Sequence, residues 1–116
     1  MSVKVIAIAL IFFGEVFAIG AELWASKYVE HGEKWVQAFL LLMIPMVIGG
    51  GLLLAGYMYG YFHLKNIWLI AAASVASIIV VEPLLALTLF NELPTLGAAI
   101  GLALGILGLC AVLLIP

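Results

Sequence analysis

Three carboxylates fall inside otherwise apolar stretches of the chain, and they are the side chains best suited to chemistry. Glu15 lies near the middle of the first apolar stretch, Glu22 lies near its end, and Glu82 lies inside a later stretch beside Pro83. An ionisable group at membrane depth costs about 2.5 to 3.5 kcal/mol on insertion scales, and such groups usually face a helix bundle or a wet cavity. A carboxylate held in this way can exchange a proton for a cation.

Glu15 is the strongest candidate of the three. On a helix with about 100° per residue, Glu15 and Glu22 share one stripe and lie roughly 10 Å apart along the axis. Loss of water disfavours the charged form of Glu15, so a proton and a cationic ligand would compete for it. The alternative for Glu15 is a protonated acid that only bonds a neighbouring helix. The alternative for Glu22 is a solvated or snorkelling residue at the helix end.

Glu82 is followed by a proline, which changes the backbone around it. Pro83 has no N–H to donate to the carbonyl of Ile79, so the helix is expected to kink and leave an acceptor free. Glu82 is then either a second proton or substrate group, or a protonated acid that bonds the freed carbonyl and holds the bend. The residues alone leave both interpretations open.

The composition places these carboxylates in a membrane protein. The chain has 116 residues, of which 68% are hydrophobic and 9% are charged, with a formal net charge of -2. A soluble domain of this size could not bury so much apolar surface, and no basic patch suggests a nucleic-acid partner. The single cysteine, Cys110, excludes an internal disulfide and argues against a cysteine-built metal site.

Four apolar segments follow one another with short polar connections, and lipid requires each to be a helix. Their predicted bounds are about 3–24, 35–57, 67–90 and 96–115. They predict an all-α, multi-pass protein of the cell (inner) membrane, with one transmembrane domain over 1–116 and both termini on one side. The first segment is too long for a typical signal peptide, so it is read as an uncleaved helix.

The lysines give no preferred orientation in the membrane. Lys4 and Lys65 fall on the side of the termini, Lys27 and Lys34 fall on the opposite side, and there is no arginine. Because the positive-inside rule counts these residues in short loops, the balance favours either dual topology or an orientation set by weaker signals. In dual topology, copies insert both ways and pair antiparallel.

Glycines and prolines mark the places where helices could pack closely or bend. The fourth segment carries a one-sided glycine stripe, made of Gly97, Gly101, Gly105 and Gly108. Small-xxx-small spacing of this kind permits close helix contact, either within one protomer or at a dimer seam. In the second segment, Pro45 and the glycines at 49–51 would permit bending or form a groove, although plain packing also explains them.

Two aromatic residues are candidates for the lining of a substrate site. Tyr57 and Trp68 lie near helix ends, where belt residues are expected, and either could stack on a cationic ligand. The sequence contains no phosphate-binding glycine loop, catalytic triad spacing or metal-ligand cluster. We therefore expect no enzyme activity, no metal and no cofactor.

Two segments resemble a known family. Four short helices, a glutamate in the middle of the first within GEVFAIGAELWASKY, and a glycine-striped fourth helix resemble the small multidrug resistance family over the whole chain. The segment FNELPTLGAAIGLALGILGLCAVLL is similar to the last helix of the wider drug/metabolite transporter superfamily.

This resemblance implies an antiparallel, dual-topology homodimer that exports small cationic or amphipathic compounds in exchange for protons. In that family the helix-1 glutamate of both protomers binds protons and substrate in turn, and helix 4 forms much of the dimer contact. By position, Glu15 matches that glutamate, Gly101 with Gly105 or Gly108 matches the helix-4 glycines, and Trp68 matches a pocket aromatic more weakly.

The chain also departs from the family pattern. Glu82 is an additional intramembrane carboxylate, Glu22 is unusual, and the alanines at 71–73 replace a small-residue motif early in helix 3. Related four-helix proteins are thought to move guanidinium-type cations, polyamines or lipid-linked sugars. Two alternatives therefore remain, namely a lipid-linked-sugar flippase, alone or as one subunit of a heterodimer, and a non-transporting accessory subunit of a membrane complex.

Overall fold

Four helices make up the structure, a computed structural model that describes residues 2–29 and 35–115. They are α1 (Val3–Tyr28), α2 (Trp35–Leu64), α3 (Ile67–Phe90) and α4 (Leu96–Leu114). Each is long and apolar enough to cross a membrane. The prediction of an all-helical chain with four candidate membrane spans is confirmed. The connection between α1 and α2, with Glu30, His31, Glu33 and Lys34, lies outside the described residues.

The helix ends follow from local hydrogen bonding. Three helices begin at a residue whose side-chain oxygen accepts a backbone N–H of the first turn, namely Ser2, Asn66 and Thr95. Helix α3 ends at Asn91, which adopts the left-handed conformation with φ 54° and donates its N–H to the Leu87 carbonyl. The caps Asn91 and Thr95 bound a short connection between α3 and α4, residues 91–95.

Two helices continue beyond the bounds predicted from hydropathy. Helix α1 ends at Tyr28 rather than near residue 24, and α2 ends at Leu64 rather than near residue 57. Hydropathy marks where apolar side chains stop, whereas helix hydrogen bonds continue as long as the backbone can form them. The additional turns carry polar and aromatic side chains suited to the membrane interface.

Helix α1 is the centre of the bundle. It packs along α2 and against α3, and its buried residues recur at helical spacing, namely Ala7, Ile11, Gly14, Glu15, Ala18, Ile19 and Ala21. The face that α3 turns inward carries Ile70, Ser74, Ser77 and Val81. The packed core of the protomer therefore consists of α1, α2 and α3.

Helix α4 stands apart from this core. It packs on α3, and none of its described residues is buried in the protomer. A groove of about 650 Å³ separates much of α4 from α3. The arrangement leaves most of the α4 surface available to lipid or to another chain.

Candidate functional site

Glu15 is buried inside the three-helix core. Its side chain is 7% exposed, and its Oε1 atom accepts a hydrogen bond of 2.7 Å from the hydroxyl of Ser74 on α3. Burial of a carboxyl group without a partner would be costly, and this bond offsets part of that cost. The bond joins two helices at the level where the sequence predicts the chemistry to lie.

The surroundings of Glu15 are otherwise apolar. Among the described residues, the buried polar or charged side chains are Glu15, Ser74 and Ser77. Ser77 donates its hydroxyl to the carbonyl of Ala73 in its own helix, at 2.8 Å, and so does not serve Glu15. Ser74 is therefore the polar side chain that meets Glu15 inside the protomer.

Glycines bring α2 against α1 beside this site. A Cβ built on Gly14 would lie 2.9 Å from the carbonyl oxygen of Gly49 and 2.8 Å from Cγ of Leu53. A Cβ on Gly56 would lie 2.7 Å from Cγ1 of Ile11. Since real Cβ atoms do not approach so closely, these positions require glycine. The backbones of α1 and α2 therefore pack directly against each other beside Glu15.

The glycines at 49–51 thus have separate environments. Gly49 is a packing residue against α1, whereas a Cβ on Gly50 or Gly51 would meet nothing within 4 Å. Both internal prolines, Pro45 in α2 and Pro83 in α3, lie inside helices that continue past them. Close packing accounts for Gly49 without a hinge.

Glu22 and Glu82 are placed differently from Glu15. Glu22 is exposed near the end of α1. Glu82 is exposed on α3 and lines the groove towards α4, together with Glu92 and Phe90. The structure therefore does not bring the three carboxylates into one site, and within the protomer the carboxylate enclosed by protein is that of Glu15.

The aromatic candidates do not reach Glu15 within the protomer. Trp68 is 74% exposed in the first turn of α3, and six residues separate it from Ser74, which is about 9 Å along the helix. Tyr57 is half-buried beside Gly56, which packs on Ile11, one turn of α1 away from Glu15. Any contact of Trp68 with a ligand at Glu15 would have to come from a different arrangement of helices.

The glycine stripe of α4 is mostly free of contacts inside the protomer. A Cβ on Gly97, Gly101 or Gly108 would meet nothing within 4 Å, whereas one on Gly105 would lie 3.5 Å from Cδ1 of Ile79. Gly105 thus belongs to the contact with α3. Gly101 lines the groove towards α3, whereas Gly97 and Gly108 have open surroundings.

A second link between α1 and α3 lies at the end of the bundle away from the N-terminus. The Lys27 ammonium donates a hydrogen bond to the Leu89 carbonyl, in the last turn of α3. Carbonyls at a helix C-terminus have no partner within the helix and carry partial negative charge. Lys27 therefore acts as a cap of α3 in addition to its place in the charge balance across the membrane.

Sequence reasoning missed two features of this site. Ser74 could have been found from the spacing of Ile70, Ser74, Ser77 and Val81, which places two hydroxyls on one face of an apolar helix. The packing role of α2 could have been found from Gly56 and Gly60, which stand four residues apart. Both signals are present in the sequence, but the partner of each residue is not.

No metal site is indicated in the described ranges 2–29 and 35–115, where no group of three or more His, Cys, Asp or Glu side chains could hold an ion. The chain matches no family model, and comparisons with curated proteins and with solved structures find no match. Any functional proposal therefore rests on the geometry of the site and on the sequence.

Proposed function

We propose that this protein is a proton-coupled secondary transporter of the cell membrane that exports small cationic or amphipathic compounds by alternating access. The observation that carries the proposal is the buried carboxyl group of Glu15, held by one hydroxyl in an otherwise apolar core. Intramembrane ionisable groups of this kind commonly mark ion and substrate pathways.

The chemistry of exchange needs no further catalytic group. A proton bound to Glu15 neutralises the carboxylate, and a bound cation neutralises it equally well, so the two ligands exclude one another. A cation that binds to the protonated site displaces the proton from the carboxyl group. Coupling follows because the empty, charged carboxylate is the form that is hardest to move through an apolar core.

Alternating access requires the core around Glu15 to open. In the protomer Glu15 is enclosed, so a cation larger than a proton enters only when α1 and α3 move apart. Among the described residues, the Ser74 hydrogen bond and the Lys27 contact are polar links that this movement would have to loosen. The substrate would then reach Glu15 from one side of the membrane at a time.

We further propose that the functional unit is an antiparallel homodimer with α4 at its seam. Support comes from the open surroundings of Gly97 and Gly108, and from the absence of buried residues on α4 in the described part of the chain. The balanced lysines favour insertion in both orientations, which an antiparallel pair requires. A dimer would place a Glu15 from each protomer in the membrane.

The experiment that tests this function is transport into proteoliposomes driven by a pH gradient. With a panel of quaternary ammonium, guanidinium and polyamine cations, we expect uptake that depends on the gradient and is abolished by Glu15→Gln. Glu22→Gln is the matched control, because it removes an exposed carboxylate from the same helix. Normal proton-coupled exchange by Glu15→Gln would contradict the proposal.

One observation favours a second candidate, a lipid-linked-sugar flippase or one subunit of it. The groove between α3 and α4 is open and lined mainly by apolar side chains, as a path for a lipid chain would be. In that case Glu15 would be a packing group, and activity would depend on co-expression with a second small membrane protein. Transport of a soluble cation by the purified chain alone would exclude this candidate.

A further inference from the structure

Two buried serines on α3 use their hydroxyls in different ways. Ser77 donates to the carbonyl of Ala73, four residues back in its own helix, at 2.8 Å. Ser74 has the equivalent carbonyl, that of Ile70, four residues back, but donates to Glu15 at 2.7 Å. The bond of Ser77 shows that this helix accepts a serine hydroxyl turned back onto its own backbone.

We propose that Ser74 is a positioning residue that responds to the protonation state of Glu15. The hydrogen bond between the Ser74 hydroxyl and the Glu15 carboxyl group, which joins α3 to α1, reverses its direction when Glu15 binds a proton. When Glu15 is charged, the Ser74 hydroxyl donates to Oε1. When Glu15 binds a proton, its carboxyl O–H donates to the Ser74 oxygen, and the Ser74 hydroxyl turns to the Ile70 carbonyl. This inference rests on the proposed function, but the experiment that tests it does not require transport.

The donor and acceptor inventory supports both arrangements. A charged carboxylate only accepts, a protonated one also donates, and a hydroxyl donates once and accepts twice. Every group is therefore paired in either state, and the change needs only rotation of one side chain. An alanine at position 74 could pair Glu15 in neither state.

No second buried ionisable group of the described residues faces this pair. At the level of Glu15, α2 presents Gly49 and Leu53. Tyr57 lies farther along α2, half-buried beside Gly56, and Glu82 of α3 is exposed in the groove towards α4. Ser74 is thus the neighbour through which protonation of Glu15 can act on another helix.

A proton and a cation bound to Glu15 have different effects on the hydrogen bond with Ser74. A proton on Glu15 keeps the link between α1 and α3, with its direction reversed. A cation bound to the carboxylate provides no oxygen-bound proton for Ser74, and it competes for the carboxylate oxygens to which Ser74 donates. The two ligands therefore leave α1 and α3 joined to different degrees, which is the differential contact that a coupled transporter needs.

The test is an infrared titration of Glu15 in the purified full-length protein, without substrate. The carboxyl band that disappears in Glu15→Gln is followed against pH in wild type, Ser74→Ala, Ser74→Thr and Ser77→Ala. Ser77→Ala is the matched control, because it removes a buried hydroxyl from the same helix without touching Glu15. Ser74→Thr retains the hydroxyl.

We expect Ser74→Ala to shift the carboxylate stretch of the charged form, because that form loses its hydrogen-bond donor. The C=O stretch of the protonated form should also move to higher frequency. Ser74→Thr and Ser77→Ala should stay near wild type. If Ser74→Ala does not fold, Ser74→Cys, whose thiol is a weaker donor, should move in the same direction.

Three results would overturn the inference. Unchanged bands in both Ser74→Ala and Ser74→Cys would show that the hydroxyl does not pair Glu15, and an equal change in Ser77→Ala would remove its specificity. A shifted carboxylate stretch with an unchanged C=O stretch would show that Ser74 serves the charged form alone. Because no substrate is used, absence of transport would defeat the proposed function without affecting this titration.

Discussion

Gly14 of α1 and Gly49 of α2 lie so close together that a Cβ on Gly14 would come within 2.9 Å of the Gly49 carbonyl oxygen. The contact is reciprocal, because a Cβ on Gly49 would lie 2.8 Å from the Gly14 carbonyl oxygen and 2.8 Å from the Ala18 nitrogen. Backbone contacts of this kind place α2 directly against the helix turn that carries Glu15. Glycine is thus needed next to the proposed site for reasons of space.

This contact predicts a strong effect of a single methyl group. Gly14→Ala should lower the free energy of unfolding by about 1 to 3 kcal/mol, because the new atom must displace backbone rather than a flexible side chain. The measurement is denaturant unfolding in mixed micelles. Gly20→Ala is the control, since a Cβ there meets nothing within 4 Å, and it should cost nothing. Equal effects of the two substitutions would contradict the packing described here.

The fold was largely accessible from the sequence, whereas the pairing of helices was not. Four long apolar runs and the N-caps Ser2, Asn66 and Thr95 define α1 to α4 locally, because lipid leaves the backbone no other solution. The continuation of α1 to Tyr28 was missed, because hydropathy falls before the helix ends. Local signals thus settle the presence of helices better than their ends.

Only part of the candidate site could be predicted from the sequence. Glu15 stands out because a carboxylate at membrane depth is costly wherever it occurs. Its partner Ser74 lies 59 residues away in the chain, and such a contact depends on how two helices are rotated against each other. The exposure of Glu82 towards the groove depends on the position of α4, which is likewise a long-range property.

The open surface of α4 predicts that association and folding can be separated. Gly108→Leu should leave the protomer folded, because nothing lies within 4 Å of that position, but should abolish or greatly weaken the proposed dimer by separating the helices at the seam. Ala103→Leu, on a different face of α4, should leave association intact. The oligomeric state in detergent can be read from light scattering and from cross-linking in membranes. A dimer that tolerates Gly108→Leu would place the seam elsewhere.

The contact between Lys27 and the Leu89 carbonyl predicts a modest contribution to stability. Lys27→Gln should lower the free energy of unfolding by about 0.3 to 1 kcal/mol, as expected for an exposed cation at a helix C-terminus. Lys4→Gln serves as the control, because Lys4 lies in the first turn of α1, where a cation gains nothing from the helix dipole. If Lys27→Gln and Lys4→Gln lower the free energy of unfolding equally, Lys27 does not act as a cap of α3.

The charge balance predicts that few lysines decide the orientation of the chain. A reporter fused to the C-terminus should give signals from both sides of the membrane in wild type. Replacing Lys4 and Lys65 with serine should move the termini to the outside, because the remaining lysines, Lys27 and Lys34, then hold the other side in the cytoplasm. Replacing Lys27 and Lys34 should have the opposite effect. A wild-type protein with a single orientation would contradict the antiparallel dimer.

The role of Glu82 is predicted to be secondary. Because Glu82 is exposed in the groove and not enclosed with Glu15, Glu82→Gln should leave competition between protons and cations at Glu15 in place. Changes in the apparent affinity for bulky cations would indicate that the groove contributes to entry. Complete loss of exchange in Glu82→Gln would instead indicate two coupled carboxylates.

The most direct test of the central claim is proton release when candidate cations are added to the detergent-purified protein at weak buffering. We expect release in wild type, retained release in Glu82→Gln and Glu22→Gln, and no release in Glu15→Gln. No release from folded wild-type protein with any cation of the panel, or undiminished release from Glu15→Gln, would contradict a competitive proton and cation site at Glu15.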